Sequence, residues 1–398
     1  MSDLWIEVDL DAVKYNYRQI ISKLATECIL MAVIKADAYG LGAVEVAKAL
    51  EEEGCRDFAV TNVSEALILR QEGIKGNILV LGPSSAEDWT EAIAAGIELT
   101  VSRLEWIPAL EDIAQRQGCK AGIHLKLETG MGRTGFSGEM LPELSKTLRV
   151  SSHLEVLGAY THLARGAQRQ HGFTRQQHEK YISFIKRLES DGVVIPLKHI
   201  CNSAGYLDFI EYHYDMVRVG TLLGGHYPSP AFEGKLELKD PWTVKARIVH
   251  LQRVPKGTYV GYQSLYISKK ETTLAVIPIG YADGFGVEPK FVPQGIVDLG
   301  KIIIKNAAAL LGWQLGREKV LLKGKTVNIA GKIGMQLTVI DVGKIECRSG
   351  DEIIVPLRRT LANPRIPRKY KKDGEIYIKR IIKEGFLSLN QEYPKQHC

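Results

Sequence analysis

From residue 29 to residue 219 the chain repeats one grammar, a short apolar run followed by a longer amphipathic segment. The runs cover residues 29–34, 58–60, 78–81, 99–101, 121–127, 154–160, 197–200 and 216–219. Short, apolar and often β-branched, they suit strands buried on both faces. The segments between them include 43–53, 64–72, 86–95 and 175–191, which carry helical spacing, and Gly73, Gly96 and Gly192 follow the last three as stops. Strands alternating with helices predict βα units around a parallel sheet, and eight strands can close it into a barrel. The expected fold class is therefore α/β, with a (β/α)8 TIM-like barrel over residues 12–238.

Past residue 241 the grammar changes to β-rich alternation without helices. Strands are expected at 243–250, 258–261, 273–277, 302–305, 326–329, 337–342 and 352–355, several preceded by turn pairs such as Lys256-Gly257, Lys323-Gly324 and Ser349-Gly350. Residues 239–398 then form a second, all-β domain, and a chain of 398 residues has length enough for both.

Lys and Arg exceed Asp and Glu by only 52 to 46, which excludes the dense basic stripe of a nucleic-acid binder but admits small acidic ligands. One cationic run, Arg358-Arg359 followed by Arg365, Arg368, Lys369, Lys371 and Lys372, reads as a solvated edge and loop. The six cysteines show no C-x-x-C spacing, so neither a zinc cluster nor a disulfide framework is expected. No basic n-region with an apolar h-region opens the chain, and no run approaches membrane-spanning length. These features predict a cytoplasmic protein with no nucleic-acid or membrane partner.

Chemistry concentrates just past the strand ends, the face where such barrels work. The run 29–34 ends on Lys35, followed by the small-residue turn Ala36-Asp37-Ala38-Tyr39-Gly40. An amine walled in by apolar groups loses part of the stabilisation of its charge and becomes a nucleophile toward carbonyls, so Schiff-base chemistry is available. The alternative is a lysine that caps a strand and points to solvent. Lys126, Glu128, Arg133, His162, Asn202, Ser203, Arg218, Gly220 and Thr221 occupy the matching positions of later strands.

With these pieces in order, the chain resembles the fold-type III pyridoxal-phosphate enzymes, and among them the alanine racemase family. The resemblance rests on Trp5-Ile6-Glu7-Val8-Asp9-Leu10, Ala32-Val33-Ile34-Lys35-Ala36-Asp37-Ala38-Tyr39-Gly40 and His124-Leu125-Lys126-Leu127-Glu128-Thr129-Gly130-Met131-Gly132-Arg133. It continues through Tyr160-Thr161-His162, Asn202-Ser203-Ala204, Met216-Val217-Arg218-Val219-Gly220, Gly261-Tyr262 and Pro278-Ile279-Gly280-Tyr281-Ala282-Asp283-Gly284. It implies a barrel that holds pyridoxal 5'-phosphate and a β domain joined by the N-terminal strand, residues 1–11. It also implies a head-to-tail homodimer with shared sites, an amino-acid substrate, and a role in D-alanine supply for the cell wall.

The resemblance further implies roles. Lys35 and Tyr262 of the partner subunit would be the two catalytic bases. Tyr262 would need an acidifying neighbour, for which His162 and Arg218 are placed. Arg218 would face the pyridine nitrogen, with His162 and Asn202 also at the cofactor. Tyr39, Ser203, Gly220 and Thr221 would cradle the phosphate. Arg133 would orient the substrate carboxylate, Met335 and Gln336 would edge the substrate pocket, and Lys126 stands where many members carry a carbamate. The β-domain assignments have bland alternatives, since Tyr262 alone could be a sheet tyrosine.

Three departures stand out. Gly334-Met335-Gln336-Leu337 has an amide where the family carries an aspartate, Pro364 replaces a tyrosine, and Leu222-Leu223-Gly224-Gly225 lacks the usual tyrosine after the eighth strand. They suggest a widened pocket, so a racemase of serine or a larger amino acid is the alternative to alanine. A decarboxylase is disfavoured because Cys347-Arg348-Ser349 is a poor match to the Cys-Glu-Ser substrate motif. A non-catalytic pyridoxal-phosphate-binding regulatory protein is disfavoured by the β domain and Tyr262.

Overall fold

The computed structural model describes residues 2–168, 171–287, 300, 302–304, 307, 318–383 and 386–392. The chain forms two compact units, Leu10–Pro241 and a second that joins Met1–Asp9 to Trp242–Cys398.

After β1 (Leu4–Asp9), the first unit contains β2 (Ile29–Val33), β3 (Asp57–Val60), β4 (Asn77–Val80), β5 (Glu98–Val101), β6 (Ala121–Lys126), β7 (Leu154–Tyr160), β8 (Leu197–His199) and β9 (Met216–Val219). All eight pair in parallel, in the order β8-β7-β6-β5-β4-β3-β2-β9. Between β8 and β9 the near-closed barrel is joined by Arg218 N donating to Cys201 O at 3.0 Å and Asp215 N to Lys198 O at 3.2 Å. The expected barrel is what the chain builds. Helices outside it, among them Ala43–Glu52, Val63–Gln71, Ala86–Ala94 and Gly172–Ser190, lie within a few residues of the expected segments. Each βα unit leaves its strand's C-terminal end on one face, which gathers the polar residues listed above.

The second unit carries β10 (Trp242–Arg247), β11 (His250–Val254), β12 (Tyr259–Val260), β13 (Tyr266–Ile267), β14 (Thr272–Ile277), β15 (Lys319–Leu322), β16 (Lys325–Ile329), β17 (Thr338–Gly343), β18 (Glu352–Val355), β19 (Arg368–Lys372), β20 (Glu375–Lys383) and β21 (Phe386–Glu392). All but β12 and β13, which form a separate ribbon, join β1 in one sheet of order β11-β14-β17-β16-β15-β18-β10-β1-β19-β20-β21. Two expectations are corrected here. Residues 302–304 are helical rather than extended, and Lys305 lies outside the described residues. The second half of the cationic run, Arg368–Lys372, is no solvated edge, because it forms β19, an interior strand between β1 and β20, while Arg358 and Arg365 are exposed and outside any strand.

β19 accommodates its charges by giving each a partner. Arg368 is buried and donates Nη1 to Pro364 O at 3.0 Å, while Lys371 pairs with Glu7. Glu7 also takes Lys245 Nζ and Trp5 Nε1, at 3.1 and 3.0 Å. Lys369 Nζ sits 3.8 Å from the Trp5 ring centroid and the Arg247 guanidinium 5.1 Å. Trp5 therefore seats β1 by packing and by cation–π contact. Trp5→Ala should destabilise the protein by about 3–5 kcal/mol in denaturant unfolding, the range for deleting a buried aromatic side chain.

Candidate active site

The C-terminal ends of the barrel strands surround a cavity of about 630 Å³, lined in part by Lys35, Lys126, Tyr160, His162 and Arg218. Tyr39, Arg133, Asn202, Ser203, Gly220 and Thr221 also line it, so the barrel brings all its expected site residues together. Tyr262, Met335 and Gln336 lie on the β unit, all three exposed, Tyr262 in a turn at Tyr262–Ser264 between β12 and β13.

The turn after Lys35 is left-handed over four consecutive non-glycine residues, Ala36, Asp37, Ala38 and Tyr39, with φ between 50° and 57°. Such backbone costs L-residues about 1–2 kcal/mol each, so it needs clamps. Ala38 N donates to Ile34 O at 2.7 Å, Ala36 N to Glu65 Oε1 at 2.6 Å, and Ala43 N to Asp37 Oδ1 at 2.9 Å. Glu65 Oε2 also takes Thr61 N at 2.8 Å, tying the turn to the end of β3. Glu65 carried no sequence expectation; its one signal was a charge in the first turn of a helix beside the site.

Arg218 is 3% exposed, on β9. Its Nη2 donates to Thr161 O at 2.7 Å, and its Nη1 to His199 O at 3.0 Å and His199 Nδ1 at 3.1 Å. The Tyr160 ring, itself held by Thr100 Oγ1 at 2.9 Å and Leu81 O at 3.1 Å, has two basic side chains beside it. Lys126 Nζ lies 4.3 Å from the ring centroid and the Arg218 guanidinium 4.9 Å. Tyr160 and His199 are parts of the site that the sequence reading left without a role.

This crowd of cations shapes the titration of its members. Burial, then Arg218 and Arg133, hold the Lys126 amine well below a lysine's ordinary value. Burial and Arg133 lower Lys35 too, against the opposing pull of Glu65. His162 is driven down to about 2 by burial and the surrounding Arg218, Lys126, Arg133 and Lys35. His162 is thus a neutral imidazole, and of the two ways a neighbour could acidify Tyr262, by charge or by hydrogen bond, the second is the one open to it.

At another part of the wall, Ser203 Oγ accepts from Gly220 N at 3.2 Å, and Tyr39 Oη stands where a Cβ on residue 220 would be. Glycine at 220 is required by that close approach. Burial raises the Tyr39 hydroxyl to about 12, so it stays protonated and able to donate. The Thr221 hydroxyl is buried without a hydrogen-bond partner among the described residues. Asn202 is occupied structurally, its Oδ1 capping Ala204 N and Gly205 N at 3.2 and 3.1 Å and its Nδ2 bonding Leu163 O at 3.2 Å. Glu128 folds the loop that carries Arg133, taking Gly130 N at 2.5 Å and Arg133 N at 3.3 Å. The lining passes from Thr221 to Pro228, while Leu222 and Leu223 are buried.

Residues 8–228 match the family described as alanine racemase, N-terminal domain, and residues 242–365 that described as alanine racemase, C-terminal domain. The chain belongs to the alanine racemase family. It is 36% identical to an alanine racemase of Desulforamulus reducens over 88% of this chain and 89% of that one. Alanine racemase 2 of Bacillus subtilis is 32% identical over 94% and 96% of the two chains. Among solved structures, alanine racemase of Clostridium difficile 630 superposes with a TM-score of 0.84 at 30% identity, covering 95% of this chain and 98% of that one. The Bacillus anthracis enzyme with bound L-Ala-P gives 0.81 at 27% identity over 95% and 97%. Both the barrel and the β unit thus have counterparts throughout the family.

The electrostatics are testable at Lys35. Removing the Arg133 charge takes away a repulsion that disfavours the ammonium, so the amine's pKa must rise. In Arg133→Met, the midpoint of pH-dependent reductive methylation at Lys35, followed by peptide mass spectrometry, should move to higher pH. An unmoved midpoint would mean that burial alone sets it.

Proposed function

We propose that the barrel cavity holds pyridoxal 5'-phosphate and that, with it bound, the chain interconverts L- and D-alanine by moving the α-proton between two bases. The observation that carries this reading is Lys35, an amine kept below its ordinary pKa at the mouth of a cavity whose walls fit that cofactor. The fit is chemical. Tyr39, Ser203, the backbone at Gly220 and the unpartnered Thr221 hydroxyl suit a phosphate. Arg218, always charged, suits a ring nitrogen held free of a proton. When bound, the cofactor supplies an electron sink that lets an unactivated α-proton leave at a useful rate.

The chain's own residues do the rest. Lys35 Nζ, its charge disfavoured by burial, takes or returns the proton on one face of the substrate. Tyr262 of the partner subunit does so on the other. Arg133 holds the substrate carboxylate, His162 packs at the cofactor as a neutral ring, and Asn202 keeps the Ser203 turn in place. Met335 of the partner subunit and Gln336 of the partner subunit edge the pocket. Support for a second copy comes from that unit's surface, where Tyr262, Met335, Leu337 and Tyr281 are 73%, 58%, 54% and 49% exposed. Backbone bonds from Tyr281 N to Gly334 O and from Ala282 N to Met335 O, each 3.0 Å, tie two of these segments into one patch. An apolar patch of that kind is what a twofold interface covers.

Lys126 fits carbamylation. Its amine, held well below a lysine's ordinary value, can add in its unprotonated form to carbon dioxide with loss of a proton, and the resulting carbamate would attract Arg218 and Arg133 where the ammonium repels them. In ¹³C-bicarbonate buffer a carbamate carbon signal should appear and be absent from Lys126→Met; no signal in the wild type would end this assignment.

A cytoplasmic location accompanies the reading, with Cys28, Cys55, Cys119, Cys201 and Cys347 all free thiols. Alanine is the substrate we assign. Gln336, Pro364 and the missing tyrosine at residues 222–225 make serine its first competitor, and a chiral assay across the common amino acids ranks the two.

The two bases separate in deuterated water. Tyr262→Phe should lose racemisation by roughly 10²–10⁴-fold, the range for a removed acid–base group, yet still exchange the α-proton of one alanine enantiomer. Lys35→Ala should do neither. Mixing the two inactive variants should restore up to about a quarter of wild-type activity, because half of randomly paired dimers own one intact site. Tyr262→Phe racemising at the wild-type rate would contradict the mechanism, and no complementation would contradict the shared site.

A further inference from the structure

Behind Arg218 the barrel interior holds a row of side chains that the chemistry above does not use. Glu98 opens β5, His124 lies within β6 and His199 ends β8, both histidines fully buried. Glu98 Oε2 is 3.1 Å from His124 Nε2, His124 Nδ1 is 3.0 Å from His199 Nε2, and His199 Nδ1 is 3.1 Å from Arg218 Nη1. The imidazoles meet edge to face with centroids 5.1 Å apart, and Tyr160 stacks on His199 at 4.9 Å. The backbone makes room for this row. At Gly158 on β7 a Cβ would lie 2.6 Å from Leu197 O and 2.9 Å from His124 Nδ1, so any side chain there would push the His124 ring aside.

The two ends of the row leave one consistent arrangement of protons. A guanidinium only donates, so His199 Nδ1 must accept and its proton is on Nε2. That proton points at His124 Nδ1, which must therefore accept, and the His124 proton is on Nε2, facing Glu98. A carboxylate only accepts, so every bond points from Arg218 toward Glu98. A doubly protonated His124 would set its Nδ1–H against the His199 proton. Asp57 on β3, a further charged group near His124, is engaged with Asn77 Nδ2 at 2.9 Å. Burial, together with Arg218, His124 and Lys126, keeps His199 neutral, in line with this arrangement.

We propose that Glu98 and His124 are positioning residues for Arg218: they lock His199 in its Nε2-protonated tautomer, so that Nδ1 meets the guanidinium as an acceptor. Were His199 to carry its proton on Nδ1, two donors would stand 3.1 Å apart and Arg218 would be displaced from the cavity wall. The consequence for catalysis rests on the reading that Arg218 faces the cofactor ring; the tautomer does not.

The test compares Glu98→Met, which removes the terminal acceptor, with Glu98→Gln, whose amide oxygen can still accept. In ¹⁵N-histidine-labelled protein, before and after loading with pyridoxal phosphate, wild type should show Nε2–H alone at His124 and His199. Glu98→Met should show mixed tautomers at both, a changed visible absorption of the loaded enzyme, and kcat for alanine lower by about tenfold with KM within about twofold, the loss expected for one hydrogen bond. Glu98→Gln should keep wild-type values. A proton on His199 Nδ1 in the wild type, or a Glu98→Met variant with both tautomers and the absorption band intact, would overturn the proposal. Tautomers that respond as stated in a protein inactive on alanine would support the row and overturn the functional reading instead.

Discussion

Arg218 is a permanent charge buried inside the barrel, and its neighbours adjust to it. A guanidinium there cannot shed its proton, so the titratable groups around it must. Two unit charges 4 Å apart repel by about 4 kcal/mol at an effective dielectric of 20, enough to neutralise a lysine or histidine that burial has already weakened. Lys126, His162 and His199 all follow that rule, with burial the larger influence and Arg218 the next in each case. Lys35 follows it through Arg133. The result is a pocket with a fixed positive wall and amines held below their ordinary pKa, which suits an anionic aldehyde cofactor and an amino-acid carboxylate better than it suits any cationic ligand.

Holding Lys35 in that field has a conformational cost. The left-handed stretch from Ala36 to Tyr39 turns the chain sharply at the strand end, placing Lys35 and Tyr39 on the same cavity wall. The small side chains of Ala36 and Ala38 limit the clash that larger residues would add, and Glu65 and Asp37 hold the backbone amides that the turn leaves over. Strain of this kind persists only where surrounding contacts over-determine it. Here the clamps come from two neighbouring βα units, so the barrel's closure and the lysine's orientation support each other.

The barrel was legible because burial on both faces leaves a coarse mark. Runs such as 29–34 and 78–81 are apolar without alternation, and the segments between the runs are long enough for one crossover helix each. The same coarseness hid His124 and His199, whose interior positions sit inside those runs and were read only as strand. Their partners, Glu98 and Arg218, come from other strands, and no spacing along the chain announces a bond across a barrel. In the β unit, β19 was missed because four of its five residues are lysine or arginine. Lys369 and Lys371 read as solvated until Trp5 and Glu7, far off in the chain, are brought beside them. The left-handed turn was legible as a turn, but its hand depends on Glu65 and could not be read locally.

The central claim is that this field leaves Lys35, and not Lys126, whose amine is held down too, to bind the cofactor aldehyde. Borohydride reduction of the protein loaded with pyridoxal phosphate, followed by peptide mapping, tests it most directly. The pyridoxyl label should be found on Lys35 alone; a label on Lys126, or on a lysine of the β unit, would contradict the account.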